Sequence, residues 1–152
     1  MFDDYELYHG VVLRQIVIGA PYGARIKPFE REGRINAYAI NGRIGLFIKH
    51  SSKRITPWPF TFHLDQVSDL LDLEATYPQT FIAFVCGTDG LVVLDVATLH
   101  QLVSFQESET AWIRVSRKPR SMYSVAGNNA ELPNKVARGT GILLDAVQKS
   151  RT

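Results

Sequence analysis

RINAYAINGRIGLFIKHS, residues 34 to 51, is the stretch whose reading decides the fold. Two apolar runs, RINAYAI and RIGLFIKHS, flank Asn41-Gly42. The twist of paired strands demands a turn with positive φ, which Asn and Gly adopt readily. Asn-Gly between apolar runs is therefore the strongest short hairpin signal, and the two runs are predicted to pair antiparallel. Upstream, RIKPFERE (25 to 32) reads as a polar strand, confined to an edge or bulge because Pro28 cannot donate to a ladder. YELYHGVVLRQIVI (5 to 18) sets Leu7, Val11 and Ile18, and Tyr8 and Val12, near helical spacing, with Asp3 or Asp4 as N-cap.

Downstream, LDQVSDLLDLE (64 to 74) predicts a helix with Leu64, Val67, Leu70 and Leu71 on one face and Asp65, Asp69 and Asp72 on the other. Pro57, Trp58 and Pro59 before it read as a rigid turn. TFIAFVCG and GLVVLDV surround Thr88-Asp89-Gly90, and their unbroken apolar character predicts a hairpin buried on both faces. Val96, Leu99, Leu102 and Val103 share the face of a short helix. AWIRVSRK alternates, with Trp112, Arg114 and Ser116 on one side and Ile113, Val115 and Arg117 on the other. After an irregular stretch with a short strand around MYSV, Thr140 caps a last helix built on Ile142, Leu143, Ala146 and Val147. The sum is one α/β domain over residues 1 to 152, with a mixed central sheet, early antiparallel hairpins and flanking helices.

The net charge of +2 hides an uneven distribution. From Ile55 to Ile113 there is no Lys or Arg, but there are eight acids: Asp65, Asp69, Asp72, Glu74, Asp89, Asp95, Glu107 and Glu109. The remainder carries +10, concentrated in residues 25 to 54 and 114 to 120. This predicts one basic and one acidic face, or, equally, a helix with a solvated acidic side. A lone Cys86 excludes an internal disulfide and a cysteine-rich zinc site, and fits a cytoplasmic protein. MFDDYELYHG lacks the basic start and apolar run of a secretory signal, and no apolar stretch approaches the roughly 20 residues of a membrane helix, so no membrane partner is expected.

Helix, three strands, helix, strand, with RIGLFIKHS as third strand, resembles the PD-(D/E)XK nuclease superfamily and its restriction-endonuclease fold. The resemblance covers about residues 5 to 94 and leaves 95 to 152 as an extension. In that family the third strand carries an acid, any residue, then lysine, often followed by small hydroxyls. Here Phe47-Ile48-Lys49 precedes His50-Ser51-Ser52. Lys49 matches the lysine, Phe47 stands where the acid belongs, and the preceding strand offers Asn36 and Asn41 in place of an aspartate. Such nucleases use divalent cations on carboxylates to activate water and polarise the phosphate. Phenylalanine cannot ligate magnesium, and asparagine brings no charge. The resemblance therefore implies no cofactor, or magnesium if the chain is an active nuclease. In that case Lys49 would be catalytic, with relocated acids at Glu30, Glu32 or Glu6. Glu30 and Glu32 would share one side of their strand, or simply face solvent at its edge.

Two groups of cations suit a phosphate backbone. One is Lys49, Ser51, Ser52, Lys53 and Arg54, with Trp58 close behind; the other is Arg114, Arg117, Lys118 and Arg120, with Tyr123. Trp58 between prolines reads equally as a packed anchor. His9, His50, His63 and His100 lack metal-ligand spacing and read as structural. Cys86 reads as a buried, inert thiol, and GTDG (87 to 90) as a turn. The function expected is binding of DNA or RNA through a basic face by a nuclease-like module with an incomplete metal site. The alternatives are an active magnesium-dependent endonuclease, or a protein-interaction adaptor or inhibitor, with a protein partner or a homodimer, using the acidic segment.

Overall fold

The computed structural model describes residues 1 to 106 and 110 to 150; Glu107 and Glu109 of the acidic segment lie outside them. The decisive hairpin forms as expected. β2 (Arg34–Ile40) and β3 (Ile44–Ser51) pair antiparallel, and Asn41 and Gly42 between them take φ of 54° and 68°. Asn41 also ties this turn to Arg25, ahead of the hairpin, and to Ser150 near the C-terminus. Its Oδ1 accepts from the Arg25 N–H at 2.9 Å, and its Nδ2 donates to Ser150 Oγ at 3.0 Å.

β1 (Ile26–Arg31) pairs antiparallel with β2 at the sheet edge, the position that tolerates Pro28. α1 (Asp4–Gly19) precedes it, with Asp3 capping through the Glu6 N–H. β3 runs into β4 (Trp58–Thr61) and α2 (Leu64–Thr76), then returns as β5 (Gln79–Cys86), parallel to β3. β6 (Gly90–Asp95) pairs antiparallel with β5, giving a mixed five-stranded sheet in the order β1-β2-β3-β5-β6. With β4 set aside, the elements up to β5 follow the helix, three strands, helix, strand order of the expected restriction-endonuclease-like α/β architecture.

α3 (Val96–Leu102), β7 (Trp112–Ser116), β8 (Ser124–Gly127) and α4 (Gly141–Lys149) follow. β4, β7 and β8 form a second, antiparallel sheet. The segment containing Pro57, Trp58 and Pro59 is therefore not only a turn. Pro59 fits a strand there because β4 is an edge, where a missing N–H leaves no ladder bond broken.

The two faces of the main sheet bury separate cores. Val12 and Ile16 of α1 and Leu143 and Val147 of α4 cover Ile44, Leu46 and Ile48. Leu70 and Leu73 of α2, Leu99 and Leu102 of α3, and Trp58, Phe60, Ile113 and Val115 of the second sheet cover Phe47, Ile82 and Phe84. Two expected faces are rotated: α1 buries His9, Val12 and Ile16 and leaves Leu7, Val11 and Ile18 exposed. α2 buries Asp69, Leu70 and Leu73, while Leu64 and Leu71 face outward. Gly45 explains part of this: a Cβ there would lie 2.7 Å from Leu73 Cγ, so the missing side chain admits Leu73 against β3. In α4, Leu143, Ala146 and Val147 are buried as expected, while Ile142 is exposed. Among the described residues no helix is long and apolar enough to cross a membrane.

Candidate nucleic-acid interface

The two basic segments meet in space. β3 leaves the sheet at Ser51, and the loop that follows is fastened at three points. The Gly87 N–H donates to the Ser51 carbonyl at 2.8 Å, the Trp58 indole donates to the Lys53 carbonyl at 2.9 Å, and the Arg117 N–H donates to Thr56 Oγ1 at 3.1 Å. Pairing of Trp58 with Val115 lays the end of β7 beside this loop. A depression is lined by Arg54, Ile55, Thr56, Trp58, Asp89, Arg117 and Pro119; exposed Lys53 adjoins it in sequence on one side, and exposed Lys118 and Arg120 on the other. Ser52 is exposed in the same loop. Gly87 is required beside the Lys53 backbone: its φ is +53°, and a Cβ there would sit 2.4 Å from the Lys53 carbonyl oxygen.

Several residues expected on this surface are otherwise engaged. Trp58 is 2% exposed and packs in the core, so it anchors the loop and offers no face for base stacking. Ser51 is buried at the strand end. Arg117 is half-buried, with Nε donating to Asp89 Oδ2 at 2.7 Å; the Tyr123 hydroxyl donates to the same carboxylate. The Arg117 bond, opposed by burial and helped by Tyr123, holds the Asp89 carboxyl below its ordinary range. Arg117 thus braces the depression, and its charge is matched within the chain. Arg114 is exposed on β7 beside Pro59, with its guanidinium 5.7 Å from the Trp112 ring centroid.

Lys49 lies apart from this rim. It is 7% exposed, and its Nζ donates to the Thr61 carbonyl at 2.8 Å and Gln66 Oε1 at 2.9 Å, 4.8 Å from the Phe62 ring centroid. Burial pushes its pKa down from 10.5 to about 8, against the pull of Asp65. It lines a cleft with Tyr5, His50, Pro59, His63 and Gln66. Lys49 therefore does not share an open phosphate-contacting surface with Lys53 and Arg54: strand alternation turns it toward α2, where the helix covers it.

The nearby carboxylates are also accounted for. Asp69 accepts from Arg34 Nη2 at 2.8 Å and Nε at 3.0 Å, and from Asn36 Nδ2 at 3.2 Å. Phe47, where the resemblance calls for an acid, is fully buried against the apolar face of α2. Glu30 is exposed, and Glu32 does not continue the strand: with φ of 50° it forms the β1–β2 turn with Gly33, so the two do not share a strand side. Glu32 lies 3.4 Å from Arg34, and Glu6 is exposed on the first turn of α1. Among the described residues no group of three or more His, Cys, Asp or Glu is gathered to hold a metal ion. The acidic edge of α2 is met from within the chain, Asp72 by Arg31 at 3.5 Å and Asp65 by Arg34 at 3.8 Å.

Arg34, Gln66 and the Asp89–Tyr123 pair were not singled out from the sequence. Asp69 at a helical interval from Asp65 and Asp72 looked solvated, and only the burial of Leu73 turns it inward. The histidines have structural partners. His9 bonds Tyr38 at 2.9 Å, with burial lowering its pKa to about 4; His50 stacks on Tyr8; His100 meets Glu74. Burial pushes the Cys86 thiol up to about 12, which fits an inert thiol.

No family model matches the chain, and no curated protein matches it. Among solved structures it is similar to Hjc, a Holliday junction resolvase from the archaeal hyperthermophile Archaeoglobus fulgidus. The two share 13% identity over 73% of this chain and 87% of that chain, with a TM-score of 0.46.

Proposed function

We propose that the chain binds nucleic acid through the rim formed by Lys53, Arg54, Lys118 and Arg120, with Ser52 and Arg114 beside it, and that it does so without metal-dependent cleavage. The observation that carries binding is the meeting of two cationic segments, 64 residues apart from Arg54 to Lys118, around one depression. Exposed cations on two braced loops suit phosphates, which are spaced along a backbone and read by charge. The absence of cleavage rests on the donor set near Lys49. Magnesium favours several carboxylate and water oxygens. Here Phe47 is apolar, the Asn36 amide is spent on Asp69, and Asp69 is already neutralised by Arg34. These residues do not fit the metal.

Fluorescence anisotropy over a salt series tests binding, with duplex DNA, single-stranded DNA and RNA as probes. Four phosphate contacts predict a log–log slope of about −3.6 on duplex, a roughly 150-fold loss between 50 and 200 mM salt. Arg54→Glu with Arg120→Glu should flatten the slope to about −1.8. No binding to any probe at low salt, or a slope unchanged in that variant, overturns the assignment. Strand scission in magnesium or manganese that Lys49→Ala abolishes would instead establish an active nuclease.

A further inference from the structure

α1 faces the sheet with His9, Val12 and Ile16, none more than 5% exposed. At about 100° per residue, the opposite side of the helix carries Leu7, Val11, Arg14 and Ile18. Leu7, Val11 and Ile18 are 51%, 44% and 63% exposed, with Val17 beside them at 65%. A single exposed leucine is ordinary, but an aliphatic stripe along the outer pole of a helix marks a contact surface.

We infer that this stripe is the contact of a two-fold homodimer, in which α1 packs antiparallel against α1 of a second copy with the axis beside Gly10. Gly10 is exposed, and a Cβ added there would meet nothing within 4 Å, so a second helix backbone can approach closely at that point. Charge selects the occupant. With the axis at residue 10, Arg14 of one copy lies level with Glu6 of the other, and the reverse, giving two symmetric ion pairs. Glu6 and Arg14 are both exposed, and among the described residues neither is joined in an ion pair within the chain. Val11 and Leu7 then fill the space over the partner's glycine. Symmetry supplies stripe and complementary charges together, which an unrelated partner would have to match separately. A helix of 16 residues is about 24 Å long, so this contact belongs to the small interfaces below about 1,200 Å² and forms a weak dimer.

Sedimentation of the full chain from about 5 to 200 µM reads the association, since a weak interface has a micromolar Kd. The mass should rise with concentration from the 17.1 kDa protomer toward twice that value. Val11→Arg should abolish the rise. Glu6→Arg and Arg14→Glu should each weaken it by about tenfold or more, and the two together should restore it to within about threefold. Helical circular dichroism confirms that each variant is folded. A protein that stays monomeric to about 200 µM, a dimer that survives Val11→Arg, single charge reversals without effect, or a paired swap that fails to restore association would each overturn the inference.

Discussion

Replacing Lys49 by methionine should make protein stability depend on pH in a calculable way. The folded-state pKa of Lys49, about 8, lies below its ordinary 10.5, because the ammonium is buried. Below pH 8 both folded and unfolded chains hold the proton, and the folded state bears the full cost of a buried charge, about 3 kcal/mol at 1.36 kcal/mol per unit. Between pH 8 and 10.5 the unfolded chain binds more protons than the folded one. Stability conferred at this position therefore rises with pH through that window. Methionine keeps the stem's packing and removes the titration. At pH 7 its gain is offset, because the Thr61 carbonyl and Gln66 Oε1 each lose a charge-assisted bond, at about 1.5 kcal/mol or more apiece, although Gln66 Oε1 keeps the His63 N–H at 3.0 Å. The pH 7 difference is thus a near balance. The change in that difference is not: from pH 7 to pH 10 the wild type should gain about 2.5 kcal/mol on Lys49→Met. Urea unfolding of both proteins at unit pH steps measures it. A difference that stays flat within about 0.5 kcal/mol over that range would refute the burial of a charged lysine in this cleft.

Asp69→Ala should cost about 1 to 3 kcal/mol, because it leaves the buried Asn36 amide without its acceptor, while Arg34 keeps Glu32 and Asp65 nearby; a loss under about 0.5 kcal/mol by chemical denaturation would mean that the amide is satisfied without Asp69. Gly87→Ala should lower the melting temperature and weaken nucleic-acid binding together, since the new Cβ displaces the Lys53 carbonyl; intact affinity in a folded Gly87→Ala protein would show that the rim does not depend on that loop's position. Trp58→Phe should keep most of the core packing but release the Lys53 carbonyl, with a stability loss of about 1 to 3 kcal/mol and no loss of a base-stacking signal on single strands.

The fold was legible where local chemistry and tertiary demand agree. Asn41-Gly42 needs positive φ and takes it, and the unbroken apolar runs on either side of Asp89 become β5, inside the sheet, and β6, at its edge, both buried along most of their length. Legibility failed where a partner distant in sequence decides. The outward face of α2 cannot be told from its periodicity alone, because Leu70 is shared by both candidate stripes; Arg34 and Gly45, each at least 19 residues before it in the chain, choose between Leu71 and Leu73. β4 was hidden by Pro57 before it and Pro59 within it, and Pro59 is permitted because the strand is an edge. The basic clusters were visible as residues but not as a surface. Their meeting depends on the pairing of β4 with β7, across more than 50 residues.

That pairing also separates two roles that a single strand appeared to combine. Lys49 and Lys53 are four residues apart, yet the end of β3 divides them. Up to Ser51 the chain is held in the sheet, and alternation sends Lys49 under α2. Beyond it, the loop is held through the Lys53 carbonyl and Thr56 Oγ1, and the side chains of Lys53 and Arg54 face solvent. Lys49, 7% exposed, would have to give up its bonds to the Thr61 carbonyl and Gln66 Oε1 to contact a duplex. Exposed cations on a braced loop need no such rearrangement. Affinity for phosphates should therefore follow the loop and survive Lys49→Met. If Lys49→Met instead abolished binding while leaving the fold intact, the cleft rather than the rim would be the site, and the division of roles along β3 would be wrong.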